Sequence, residues 1–352
     1  MMRSMNEQSR TVFIQNLKEL LDIPSPSGYT DRARDWLLQK IRGITSGYQI
    51  NTYANNGIEV LIPGNGGRIS RGVCSHYDTL GLYVASVGKD GKIRPGKVGG
   101  YPWTAVEGES VTIHAYGGQE YSGTVLFDKA STHIYGSAYE KEPRTNETMW
   151  IRLDEMAKSE DEVRALGIDM GAFVSLRTHF EMTNSGYLKG RHLDNKGGVA
   201  LLLTLLQELA EGEEKQLVHP LRIILTAGEE IGRGALFVKG LEELLIVDNA
   251  VVGDGQQSEE NKVTICVRDS TGPFDPDLIK KLDLLAKQNE IASVFDIFKS
   301  YGSDAELVTR RGEDTKTALI GAGISASHSW ERTHIKAFEE TWKLLRAYVY
   351  SH

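Results

Sequence analysis

Five residues far apart in the chain have the side chains and local settings of metal ligands. They are His76 in SHYD (75–78), Asp194 in GRHLDNKGG (190–198), Glu230 in TAGEEIGRGA (226–235), Asp254 in VVGDG (251–255) and His328 in SASHSWER (325–332). Two imidazoles with three carboxylates suit Zn²⁺, Mn²⁺ or Co²⁺, whereas an all-oxygen Mg²⁺ or Ca²⁺ site would not call for histidine. Five protein ligands exceed what one tetrahedral catalytic zinc can take while keeping a position open for water. Two ions sharing a carboxylate satisfy the set. Taken singly, each residue has a duller reading, His76 as a hydrogen-bonded strand-end histidine and Asp254 as a turn closer. Their joint occurrence carries the metal reading.

The chemistry that such a site performs is hydrolysis, and it needs a base as well as ions. Glu229 and Glu230 are adjacent, so their side chains leave the backbone in different directions and one can ligate while the other faces substrate. Glu229 is therefore the candidate general base. Asp78, two residues after His76, is placed to accept the ring N–H that His76 does not spend on metal.

The elements that must position these groups alternate between helix and strand. Helical spacing runs over 8–22 and 30–43, with Thr30 as an N-cap, and GGVALLLTLLQELAE after Asp194 reads as a long buried helix. Strand-like runs at 59–63, 71–75, 221–227, 249–253 and 262–267 place His76, Glu230 and Asp254 just beyond strand ends. In an open α/β sheet the loops leaving the carboxyl ends of the strands converge on one crevice, which lets sequence-distant ligands meet. Residues 79–188 differ in texture, being Gly-rich with short alternating runs such as SVTIHAY and YSGTVLF, and read as a separate inserted β domain. Within it Ser159 and Glu162 form a capping-box pattern, and Gly167 supplies a stop. The division expected is 1–78 with 189–352 as the catalytic unit and 79–188 as the insertion, whose edge strands need cover by association and whose presence the chemistry does not require.

The 352 residues carry 40 Lys and Arg against 48 Asp and Glu, a formal charge of −8. That balance speaks against a nucleic-acid partner. No stretch has the 18 or so apolar residues of a membrane span and the N-terminus lacks a signal-like apolar run. Cys74 and Cys266 are too few for a disulfide framework, so a reducing cytoplasm is the expected location. GKVGG and GEEIGRG match neither a P-loop nor a dinucleotide fingerprint.

The order of contexts, with SHYDTLG, TAGEEIGRGA and ASHSWER as the closest signatures, resembles the M42 family of metallo-aminopeptidases over nearly the whole chain. The 118 positions between His76 and Asp194 leave room for the insertion that M42 enzymes carry there. LDNKGG departs from the family with Asn195 and Lys196 where Asp and Arg are usual. The resemblance implies a mixed-sheet α/β/α zinc-peptidase domain (phosphorylase/hydrolase-like) with an inserted small β domain. It implies that Asp194 bridges two divalent ions, zinc with Co or Mn as alternatives, that His76 and Asp254 complete one site, and that Glu230 and His328 complete the other. It also puts Glu229 on the general base and Asp78 on the supporting carboxylate, and implies a peptide substrate and a homo-oligomer. The alternatives are a metal-dependent amidase or deacylase using the same groups, and a non-catalytic assembly protein that keeps the fold.

Overall fold

The structure, a computed structural model, describes residues 5–212 and 217–352. A large mixed sheet is built from β1 (Gln49–Thr52), β2 (Ile58–Ile62) and β3 (Arg71–His76) before the insertion. The inserted strands are β4 (Gly81–Val87), β5 (Ile93–Val98), β6 (Ser110–His114), β7 (Glu120–Phe127), β8 (Met149–Leu153) and β9 (Phe173–Leu176). Beyond them come β10 (Glu181–Met182), β11 (Tyr187–Gly190), β12 (Leu221–Thr226), β13 (Glu243–Val252), β14 (Val263–Asp269) and β15 (Gly272–Pro273). The last three are β16 (Ser293–Ile297), β17 (Lys316–Ser325) and β18 (Glu331–His334). The principal helices are α1 (Glu7–Leu21), α2 (Asp31–Ile44), α3 (Leu193–Glu211), α4 (Pro276–Gln288), α5 (Asp304–Arg310) and α6 (Ile335–Val349).

The sheet runs β1-β2-β12-β3-β13-β17-β18-β11-β10, with β14 to β16 joined beside β17. Its centre, β12-β3-β13-β17, is parallel. Both faces are covered, as a parallel centre requires, and alternate residues enter different cores. Val73, Leu245, Val247 and Ile320 pack with α1, α2, α3 and α6, while Cys74, Leu244, Ile246 and Leu319 pack on the opposite face with Ala305 and Val308 of α5. This is the α/β/α layering expected from the strand and helix runs.

The insertion closes on itself as a barrel, β4-β5-β8-β7-β6-β9, around a separate apolar core that includes Leu82, Val111, Val125, Phe127 and Ile151. The barrel ends at Leu176. Its expected boundary at 188 shifts because β10 and β11 pair with each other and β11 pairs with β18, which makes them the edge of the large sheet. The Ser159 side chain accepts the Glu162 N–H at the start of the short helix Glu160–Ala165. Thr30 precedes α2 but makes no capping hydrogen bond with its side chain.

β13 is the element that the sequence pattern describes least well. It begins at Glu243, six residues before the expected start, because LLIV continues the strand that NAVV ends. That extension moves the functional strand end, as the site shows.

Candidate metal centre

β12, β3 and β13 lie side by side and reach the same level. Thr226 pairs with His76, and Ile246 of β13 pairs with Cys74, so Asp248 stands two residues further on, level with His76. His76 and Asp248 also continue the face of Cys74 and Ile246, since side chains repeat every two residues. The outcome is a contact: His76 Nε2 lies 3.7 Å from Asp248 Oδ1. Asp254, the carboxylate expected here, is six residues further along, about 20 Å at the rise of an extended strand. It sits exposed in the turn after β13. The third carboxylate facing the site is Asp248, and the assignment of Asp254 as a ligand is corrected accordingly.

The remaining expected residues converge. Asp194, at the start of α3, presents Oδ1 to His76 Nε2 at 3.3 Å and Oδ2 to His328 Nε2 at 3.4 Å, so one carboxylate spans both imidazoles. His328, in the turn between β17 and β18, is also 3.4 Å from Glu230 Oε2. Glu229 Oε2 faces His76 Nε2 at 3.7 Å. The turn that carries the two glutamates is held by Asp78, which accepts the Glu229 N–H at 3.1 Å, the Glu230 N–H at 3.3 Å and the Ser27 hydroxyl at 2.5 Å. Asp78 lies near His76 Nδ1 through its carbonyl at 3.2 Å and its carboxylate at 3.5 Å. A cavity of about 490 Å³ opens over these groups and is lined also by Asn249 and the Tyr301–Asp304 segment.

The electrostatics are those of an acidic cluster. Burial opposes the charged form of His76, but Glu229, Asp194, Asp248 and Asp78 together hold its pKa well above the usual histidine range. His328 is likewise pushed up to about 11, against burial, by Asp194 and Glu230. Burial and neighbouring carboxylates raise Glu229 and Glu230 well above the ordinary glutamate range. Asp194 moves the other way: burial is outweighed by the two imidazoles, which lower it.

These residues fit divalent cations. The ligand atoms of His76, Asp194 and Glu230 all lie within 4.8 Å of one another. The buried Glu230 Oε1 has no hydrogen-bond partner among the described residues, which is costly for a carboxylate unless a cation serves it. The imidazole-to-carboxylate distances of 3.3–3.7 Å exceed those of a well-made N–H···O bond, as expected where both groups address a common ion.

Three supporting residues had no role in the sequence reading. Buried Glu331 accepts the Asp194 N–H at 3.2 Å and the His328 N–H at 3.3 Å, joining the bridging carboxylate to the distant histidine through their backbones. Burial and the Asp194 charge push Glu331 up to about 8. Asp304, buried beneath the cavity, accepts the Thr226 hydroxyl at 2.5 Å and the Ala235 N–H at 2.8 Å, and burial pushes it up to about 6. Asn195 donates to the Val247 carbonyl at 2.8 Å, next to Asp248. Two of them lie within motifs already quoted, Glu331 three residues after His328 and Asn195 directly after Asp194. The neighbouring Lys196, the other departure from the family pattern, is buried and donates to the carbonyls of Leu20 and Ile23.

A two-faced α/β body with an imidazole–carboxylate cluster at the carboxyl ends of its parallel strands defines a metal-dependent hydrolase class. Residues 56–344 match the model of the M42 glutamyl aminopeptidase family, and the chain belongs to that family of metal-dependent peptidases. It is 38% identical to YhfE of Bacillus subtilis (strain 168), provisionally named an aminopeptidase, over 95% of this chain and 96% of that one. It is 23% identical to the lysyl aminopeptidase of Pyrococcus furiosus over 94% and 95% of the two chains. The fold superposes on the Pyrococcus horikoshii TET1 peptidase with a TM-score of 0.83 at 23% identity, covering 97% of this chain and 100% of that one. That peptidase is described as assembling into a tetrahedron or a large octahedral shell. Among the described residues no helix is long and apolar enough to cross a membrane.

Proposed function

We propose that the chain is a two-metal aminopeptidase that removes residues from the free N-terminus of short peptides. The observation that carries this reading is the Asp194 carboxylate set between His76 and His328 at 3.3 and 3.4 Å, the arrangement of a bridge between two ion sites. His76 and Asp248 would complete one site, and Glu230 and His328 the other. Two divalent ions there, zinc by the donor chemistry with cobalt or manganese as alternatives, would acidify a water and polarise the scissile carbonyl.

The chain's own groups do the rest. Glu229 lines the cavity with its carboxylate beside His76 Nε2, placed to take a proton from water and return it to the leaving amine. Asp78 fixes the backbone from which Glu229 and Glu230 project, so the base and the ligand keep their separate directions. Replacement of Glu229 by Gln is expected to retain both ions and lower kcat by about 10²–10⁴-fold, the range for loss of a general base. Metal analysis with steady-state kinetics checks this, and normal turnover would remove Glu229 from the mechanism. Competition between free-amine and N-blocked peptides separates an aminopeptidase from a deacylase built on the same groups. Absence of hydrolysis with any of the three metals would point to a non-catalytic assembly protein.

A homo-oligomer belongs to the same reading. The barrel exposes Tyr116, Ile134, Met156 and Met170, apolar side chains that association would cover. A closed assembly would admit short peptides and exclude folded proteins. Light scattering of the metal-loaded protein tests it, and a fully active monodisperse monomer would defeat it.

A further inference from the structure

The two histidines of the centre are supported by different parts of the molecule. His76 Nδ1 faces Asp78, within the sheet body. His328 Nδ1 lies 2.6 Å from the carbonyl of Gly100, which belongs to the barrel's β5–β6 connection. A metal-bound imidazole needs such an acceptor to fix its tautomer and aim. His328 also has φ +63, in a turn whose regular structure does not dictate where the ring points. Something must hold that turn against the barrel.

Arg191 does so, three residues before Asp194. Its Nε donates to Glu109 Oε2 at 2.9 Å, its Nη2 to the Ala105 carbonyl at 2.6 Å, and its Nη1 to the Ser329 carbonyl at 3.1 Å. The first two acceptors are barrel residues and the third adjoins His328. Glu109 is fixed in turn by His179, whose Nε2 lies 2.8 Å from Oε1. Arg191 and Glu109 are 6% and 8% exposed. A planar guanidinium serves three acceptors in one fixed geometry, which an apolar contact could not do. The Ser329 bond ties the same guanidinium that grips the barrel to the turn that carries His328, whose ring faces Gly100.

We infer that Arg191, held by Glu109, is a positioning residue for the His328 half of the metal site, and that the barrel is thereby part of that site. The inference rests on the two-ion reading above. The test is zinc titration against a competing chelator, with metal analysis, on the full-length wild type, Arg191→Met, and the double variant Glu109→Gln/Arg191→Met, which leaves no buried unpaired carboxylate. In both variants one ion is expected to bind as in the wild type and the other about 10- to 100-fold more weakly, the size typical of lost support behind a ligand. Unchanged affinity for both ions overturns the inference, as does equal weakening of both, which marks a general structural brace. A wild type that binds fewer than two ions fails at the earlier step, because the two-ion reading itself then falls and takes this inference with it.

Discussion

The sheet body and the barrel contribute to the site in different ways. The sheet supplies every side chain of the cluster: His76 and Asp248 from strands β3 and β13, Glu229 and Glu230 from the turn after β12, Asp194 from the start of α3 and His328 from the β17–β18 turn. The barrel supplies a main-chain carbonyl, Gly100, and the Glu109 and Ala105 acceptors for Arg191. The barrel is consequently more than cover for edge strands, contrary to what its texture and position lead one to expect. A region that contributes no side chain to the cluster still presents a carbonyl to one of its histidines.

This contrast divides the cluster into a half supported within the sheet and a half supported across the barrel contact, with Asp194 common to both. Asp194→Ala should therefore have the largest effect of the ligand changes, weakening both ions, since its two oxygens address His76 and His328 separately. Metal titration decides it. Loss of one ion with the other untouched would make Asp194 a terminal ligand and erase the division. Next comes Asp248→Ala, which should weaken one ion, on the His76 side, and leave the ion of Glu230 and His328 in place. Loss confined to the opposite ion would reverse the two halves.

A smaller change is expected from Asp78→Asn. The Glu229 and Glu230 N–H groups donate to different Asp78 oxygens, so the asparagine keeps an acceptor for only one of them, and it also loses the carboxylate charge beside His76. The expected cost is about 10- to 100-fold in metal affinity or activity. If that loss appears on the His328 side alone, Asp78 acts through Glu230 rather than through His76, and the sheet-supported half needs another account.

How much of this could be read from the sequence depends on where the information lies. His76 is legible because SHYD follows a short buried strand, and the Glu229–Glu230 pair because two adjacent carboxylates follow another. The α/β layering follows from alternating runs long enough to have a clear period. Asp248 is hidden for the opposite reason: it is one polar residue inside LLIVDNAVV, where only the register of β13 against β3 brings it level with His76. Gly100 could not be found at all, since a carbonyl acceptor leaves no trace in residue type. Arg191 and Glu331 were within quoted motifs, but their partners, Glu109 and the backbone of Asp194, lie 82 and 137 positions away.

The smallest expected effect is at Asp254, and it discriminates because the sequence pattern favours that residue over Asp248. VVGDG has the look of a ligand at a strand end, yet the strand runs past β3 before it stops, so its final turn stands well beyond the crevice. Asp254 is exposed there. Its replacement by Ala should leave both ions and kcat/KM as in the wild type and change stability by no more than about 0.5 kcal/mol, as for a surface site without special contacts. Parallel titration of Asp248→Ala makes the comparison internal to one experiment. If Asp254→Ala loses an ion while Asp248→Ala keeps both, the register of β13 against β3 does not describe the metal-loaded enzyme, and the strand-end reading of VVGDG is restored.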